Sequence, residues 1–252
     1  MYFSACIPAL FSHIPAHEAV ERAAGTGIKA FELWGWWDLD LERLRDAQQR
    51  TGLKCSAVCT RFIPLNVPQR REEYLSGLAE TIEAARSLGC STIISQVGQA
   101  VEGVSREAQH QAIVEGLRTC VPMLKAAGMQ LVIEPLNTLV DHKGYYLSSS
   151  DEGFDMIREV GSPWVRLLFD VYHQQIMEGN LLSRLEAGLE LIGHIHVAGV
   201  PGRHEILRES EIDYPTILSR MVKLGYQGAV GLEYFPLEEP EKGLGEILSL
   251  PL

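Results

Sequence analysis

The chain has 252 residues, 46% of them hydrophobic and 22% charged, with a formal net charge of −11, the balance of a globular protein with a packed core. That charge argues against a phosphate-backbone ligand, which needs a clustered positive field, and no apolar run approaches the roughly 20 residues of a membrane span. The opening "MYFSACIPALF" lacks the charged n-region and cleavage site of a signal peptide, and five scattered cysteines with no CxxC point to the cytoplasm.

In chain order, short apolar runs read as strands at 2–7, 29–34, 54–59, 91–97, 129–134, 165–170, 192–198 and 228–233. Amphipathic patterns read as helices at about 16–24, 40–51, 69–88, 105–127, 149–159, 174–188 and 213–224. Gly25, Gly52, Gly89, Gly128, Gly161 and Gly225 fall just before the next strand, where a left-handed residue turns a helix back towards a sheet. Asp213 before Tyr214-Pro215 reads as an N-cap. Cys55 and Cys59 are four apart in a strand-like run, which predicts two packed thiols on one face rather than zinc ligands.

Eight βα units with no linker or low-complexity segment predict a single domain over 1–252. The fold class is α/β, a (β/α)8 TIM barrel, with 236–252 as a C-terminal loop and short helix packed on it. A doubly wound sheet is the competing arrangement, but no GxGxxG or GxxxxGK[ST] follows the first strand.

The run "QLVIEPLN" ends a buried strand in Glu134, an expensive place for a charge unless something binds it. The next three strands also end in polar groups: Asp170 in "LLFDVYH", His196 in "HIHVAG" and Glu233 in "GLEYFP". Strand ends point into the mouth of a barrel, so the four line one arc of it. Three carboxylates gathered there would repel one another. A divalent cation removes the conflict, and this donor set suits Mn²⁺ or Mg²⁺, with Co²⁺ a third option. Taken singly, Glu134 could be a salt-bridge partner, Asp170 a helix cap and His196 a satisfied core histidine. Their conjunction at consecutive strand ends carries the metal reading.

The stretches "FSACIPALF", "IEPLN", "FDVYHQQIMEGN" and "GLEYFP" resemble motifs of the hydroxypyruvate isomerase family. That family belongs to the xylose-isomerase-like TIM barrels, which also include the ketose 3-epimerases. The resemblance implies that Glu134, Asp170, His196 and Glu233 bind the metal and that the two glutamates are the acid/base pair. It also implies that His173 contacts substrate and that Arg203 in "GVPGRHE" stands at the mouth. Bacterial hydroxypyruvate isomerases carry glutamine where this chain has His196, whereas the 3-epimerases carry histidine. "HEILRESEIDY" replaces a glycine-rich stretch, and the loop "TRFIPLNVPQ" is short for the family.

The implied activity is a metal-dependent isomerase of a small hydroxy-keto acid or sugar, foremost hydroxypyruvate to tartronate semialdehyde, with a ketose 3-epimerase as the alternative. A metal-assisted lyase shares the enolisation step. A DNA-repair endonuclease would need more histidine ligands and a basic groove, and a non-catalytic sugar-binding protein need not keep both glutamates. A keto acid's carboxylate needs a cation, for which Arg203, Arg61 and Lys143 are the loop candidates. His173 and Arg203 could equally be a local helix contact and an exposed loop charge, and Arg61 a surface residue. Trp34, Trp36 and Trp37 in "ELWGWWD" could wall the pocket or pack in the core. His13 and His17 read as solvated or capping groups. The expected partner is a small molecule, without nucleic acid or membrane, and a homo-oligomer remains open.

Overall fold

The computed structural model describes residues 1–251. Eight strands, β1 (Tyr2–Cys6), β2 (Ala30–Leu33), β3 (Lys54–Cys59), β4 (Thr92–Ser95), β5 (Gln130–Ile133), β6 (Val165–Asp170), β7 (Ile192–Val197) and β8 (Ala229–Leu232), close into a barrel in sequence order. Every neighbouring pair is parallel, including β1 with β8. Helices connect the strands and cover the barrel's outside. This is the (β/α)8 architecture, with its chemistry at the C-terminal ends of the strands. Among the described residues, no helix is long and apolar enough to cross a membrane.

Among the described residues, the buried apolar side chains form two clusters. The larger lies between strands and helices and contains Phe31, Val58, Ile93, Leu131 and Leu167. The smaller, Ala57, Cys59, Ile94, Val132 and Leu168, fills the inside of the barrel. Alternation along each strand sends one set outward and the other inward. Two register shifts interrupt that alternation. Between β2 and β3, Phe31 pairs with Cys55 but Glu32 pairs with Ala57, leaving Ser56 as an extra residue. The expectation that Cys55 and Cys59 share a face fails for this reason. The bulge reverses the phase, so Cys55 packs in the outer cluster and Cys59 in the inner one. Between β6 and β7, Leu167 pairs with Ile192 but Leu168 pairs with His194, leaving Gly193 extra. A Cβ at Gly193 would lie 2.8 Å from Val132 Cγ1, so the bulge needs glycine there.

The helices follow the sequence pattern with instructive exceptions. Gly52, Gly89, Gly128, Gly161 and Gly225 have positive φ as expected, but Gly25 is the last residue of its helix and Gly27 takes the left-handed turn. Asp213 caps its helix by accepting from the Thr216 amide at 3.2 Å. The pattern over 174–188 divides into Val171–Met177 and Leu181–Gly188, because Gly179 and Asn180 both adopt positive φ. A short helix, Ile7–Leu10, also follows β1 directly. The C-terminal helix Pro240–Leu248 packs through Leu244 and Ile247, and Arg22 holds Glu239 and Glu241 beside it.

Candidate active site

Strand ends bring four side chains together. Asp170 closes β6 and His196 lies opposite it in β7, while Glu134 and Glu233 follow β5 and β8 by one residue. Glu134, Asp170, His196 and Glu233 each offer one atom, and these atoms all lie within 4.8 Å of one another. All four are buried. Asp170 serves two purposes, since β6 runs straight into the helix Val171–Met177. Its Oδ1 caps that helix by accepting from the amides of Tyr172 (2.8 Å) and His173 (3.2 Å). The carboxylate is thereby fixed by the turn that follows it.

The electrostatics of the cluster would accommodate a cation. Two like charges about 4 Å apart cost about 4 kcal/mol at an effective dielectric of about 20, and three carboxylates meet here. Burial pushes the Asp170 carboxyl up to about 6, against the opposing pull of His196. For Glu233 burial also works upward, but Arg203 and His196 overcome it and hold the carboxyl well below the usual range. Burial lowers the His196 imidazole, yet the surrounding carboxylates Glu233 and Glu32 raise it well above its ordinary value. Glu134 Oε1 and His196 Nδ1 lie 3.4 Å apart without forming a hydrogen bond, and both are buried without another partner. Buried donor atoms that face one another without a hydrogen bond fit a shared cation. Three carboxylates and an imidazole nitrogen fit a divalent ion such as Mn²⁺ or Mg²⁺.

Above the cluster is a cavity of about 600 Å³, with Glu134, His196, Arg203 and Glu233 at its polar end and Phe62, Ile63, Val67, Val101 and Leu136 along its apolar wall. Trp34 lines it too and donates from Nε1 to Glu233 Oε1 at 2.5 Å. Arg203 is buried, donates to Glu233 Oε2, and lies over the rings of Tyr172 and Phe235. Its Nε is buried with no partner, leaving a charged donor unused.

The remaining candidates are placed differently. His173 is fully buried and does not line the cavity. Its Nε2 lies 3.5 Å from Asp170 Oδ2 and its Nδ1 2.7 Å from Asn137 Nδ2, and burial lowers it to about 3. It therefore stands behind Asp170 as a neutral ring, while His142, stacked edge-on against it, lines the cavity. Arg61 is not brought to the site, for it pairs with Glu80 at 2.8 Å and lies over Trp36 and Trp37. Lys143 is exposed and outside the cavity lining. His13 is exposed, and His17 is half-buried 3.9 Å from Glu18.

Sequence reasoning missed Glu32 and His194. Both point into the barrel beneath the cluster, where Glu32 Oε2 meets His194 Nε2 at 3.0 Å and Glu32 Oε1 meets His196 Nε2 at 3.0 Å. The sequence signal was faint, a single glutamate within the apolar run AFEL, and the structure shows every position of that strand to be buried. Gln96 and His142, both in the cavity lining, carried no comparable pattern.

Residues 20–250 match the xylose isomerase-like TIM barrel family, and the chain belongs to it. Hydroxypyruvate isomerase of Escherichia coli K12 is 32% identical over 251 residues, covering 96% of each chain, which places this chain among the hydroxypyruvate isomerase relatives. A 2-oxo-tetronate isomerase from Pectobacterium atrosepticum is 28% identical over 96% of this chain and 95% of that protein. A crystal structure from Brucella melitensis, described as an AP endonuclease of family 2, superposes with a TM-score of 0.93 at 28% identity over 98% of both chains.

Proposed function

We propose that this protein is a cytoplasmic, metal-dependent isomerase that moves a carbonyl between adjacent carbons of a small hydroxy-keto acid. Hydroxypyruvate, converted to tartronate semialdehyde, is the first candidate substrate. The observation that carries the reading is the convergence of Glu134, Asp170, His196 and Glu233 within 4.8 Å at the polar end of the cavity. The similarity to hydroxypyruvate and 2-oxo-tetronate isomerases supports the substrate class. The endonuclease description fits this chain less well, because the cluster holds one histidine and the net charge is −11.

In this reading Glu134, Asp170, His196 and Glu233 would hold one Mn²⁺ or Mg²⁺ ion, which would supply stabilisation of the negative charge developing on the substrate oxygens. The chain's own groups then handle protons and position. One of Glu134 and Glu233 takes the proton from C3 of hydroxypyruvate, and the other delivers a proton to C2. The hydroxyl proton passes from O3 to O2, so no atom or electron is gained or lost. Arg203 uses its unpaired Nε on the substrate carboxylate. Trp34 and the apolar wall exclude water from the reacting carbons.

A cavity of about 600 Å³ also has room for a longer chain, which favours a four-carbon 2-oxo acid as a second candidate. Proton NMR in D₂O with Mn²⁺-loaded, then Mg²⁺-exchanged protein tests both, with a ketohexose as a third arm. Deuterium should appear at C2 of the aldehyde product from the keto acid. Exchange only at C3 of the ketose, with none on either keto acid, overturns the proposal in favour of an epimerase.

A further inference from the structure

The carboxylate of Glu32 and the ring of His194 lie outside the four-residue cluster, and the reaction described above does not use them. Glu32 is buried within β2, and its two oxygens face two imidazoles on β7. Oε2 is hydrogen-bonded by His194 Nε2 at 3.0 Å and by Ser56 Oγ at 3.3 Å. The hydroxyl of Ser56 also meets Ser4 Oγ at 2.6 Å and Phe31 O at 3.0 Å, so the carboxylate is fixed from below. Oε1 lies 3.0 Å from His196 Nε2, and neither atom has any other partner. The opposite nitrogen of that ring, Nδ1, is the one that faces Glu134 (3.4 Å) and Glu233 (3.5 Å).

Local structure is arranged to admit this contact. The extra residue Ser56 in β3 supplies one of the donors to Glu32. The bulge at Gly193 sets His194 and His196 opposite Leu168 and Asp170, on the inward face. On β8, Gly231 faces both groups. A Cβ there would lie 2.2 Å from Glu32 Oε1 and 2.6 Å from His196 Cδ2, so any side chain at that position would displace the carboxylate or the ring.

From this we infer that Glu32, held by His194 and Ser56, is a positioning residue that makes His196 a metal ligand through Nδ1. An ionised carboxylate only accepts hydrogen bonds, so it places the single N–H of a neutral imidazole on Nε2 and leaves the Nδ1 lone pair to the cation. A carboxylate behind a ligating histidine also raises the ring's basicity and fixes its orientation. Glu32 touches neither substrate nor cation in this scheme.

The inference rests on the metal-site reading, and the test separates the two. Mn²⁺ binding is measured by electron paramagnetic resonance on wild type, Glu32→Gln and Glu32→Asp. Glu32→Gln should lose about 10- to 100-fold in affinity, the usual effect of removing such a partner. Glu32→Asp keeps the charge on a shorter arm and should retain more affinity than Glu32→Gln. A purely structural role gives the reverse order, because glutamine is the better match in shape, and that order overturns the inference. So does Mn²⁺ affinity within about twofold of wild type in Glu32→Gln. Should either variant fail to fold, ¹⁵N NMR of histidine-labelled, Mg²⁺-loaded wild type decides. His196 should carry its proton on Nε2, and a proton on Nδ1 refutes the assignment. Wild type that binds no Mn²⁺ or Mg²⁺ overturns the metal site itself, and the inference with it.

Discussion

Replacing Arg203 by alanine should damage more than substrate binding. From sequence alone the residue is a loop cation for a substrate carboxylate, and its loss should raise KM about 10- to 100-fold, the effect of one charge-assisted contact. The structure adds a second consequence. The Arg203 guanidinium is also the counter-ion of Glu233, with side-chain exposures of 11% and 6%. Breaking a buried pair from one side typically costs about 3–5 kcal/mol, since the remaining charge keeps its desolvation penalty. Glu233 would retain the Trp34 donor and the nearby His196, and water can enter from the cavity. Those substitutes place the cost at the lower end, about 3 kcal/mol.

At about 2–4 °C per kcal/mol for a chain of this size, the melting temperature should fall by about 6–12 °C. The substitution also frees Glu233 to move, so kcat should drop together with the rise in KM. Arg203→Lys keeps the charge but not the planar fork, and should fall between the two. Thermal unfolding of the chelated protein, paired with kcat and KM on hydroxypyruvate, reads both consequences. An Arg203→Ala protein whose melting temperature and kcat match wild type would show that the Glu233 contact contributes nothing, and the reasoning would be wrong.

Chelation with EDTA should abolish activity, Mn²⁺ or Mg²⁺ should restore it, and at 100 times its dissociation constant the ion should stabilise the fold by about 2.7 kcal/mol. Melting curves with and without metal measure this, and full activity after exhaustive chelation contradicts it. Glu134→Gln and Glu233→Gln should each lower kcat by about 10²–10⁴-fold, with the double variant little worse than the worse single one. Near-normal turnover in both singles, with metal bound, would move the proton transfers elsewhere. Gly188→Ala should cost about 1–3 kcal/mol by overpacking, because its Cβ would lie 2.0 Å from Phe154 Cζ. Mn²⁺ affinity should stay unchanged in that variant, which checks that a fold defect alone does not mimic the Glu32 phenotype.

What could be read from the chain followed from local periodicity. The barrel was legible because each strand run is short and apolar, and because turn residues separate it from the next helix. The residues of the cluster were legible because a charge at the end of a buried strand is anomalous wherever it occurs, and four such anomalies fell on consecutive strands. Register was not legible. A bulge adds one residue to one strand, and no local preference announces that Ser56 or Gly193 will be the extra one. The inward or outward direction of every later residue in β3 and β7 depends on it, which is why spacing alone puts Cys55 and Cys59 on one face while the structure separates them. Glu32 was lost for a related reason. Its carboxylate is justified only by partners on other strands, Ser56, His194 and His196, whose alignment those two bulges set. The same dependence explains why Arg61 and Arg203 looked alike in sequence. Both follow a strand, but the chain at Arg203 turns through φ 58° after Gly202 and brings the guanidinium to Glu233, whereas Arg61 lies over Trp36 and reaches Glu80 on the outside.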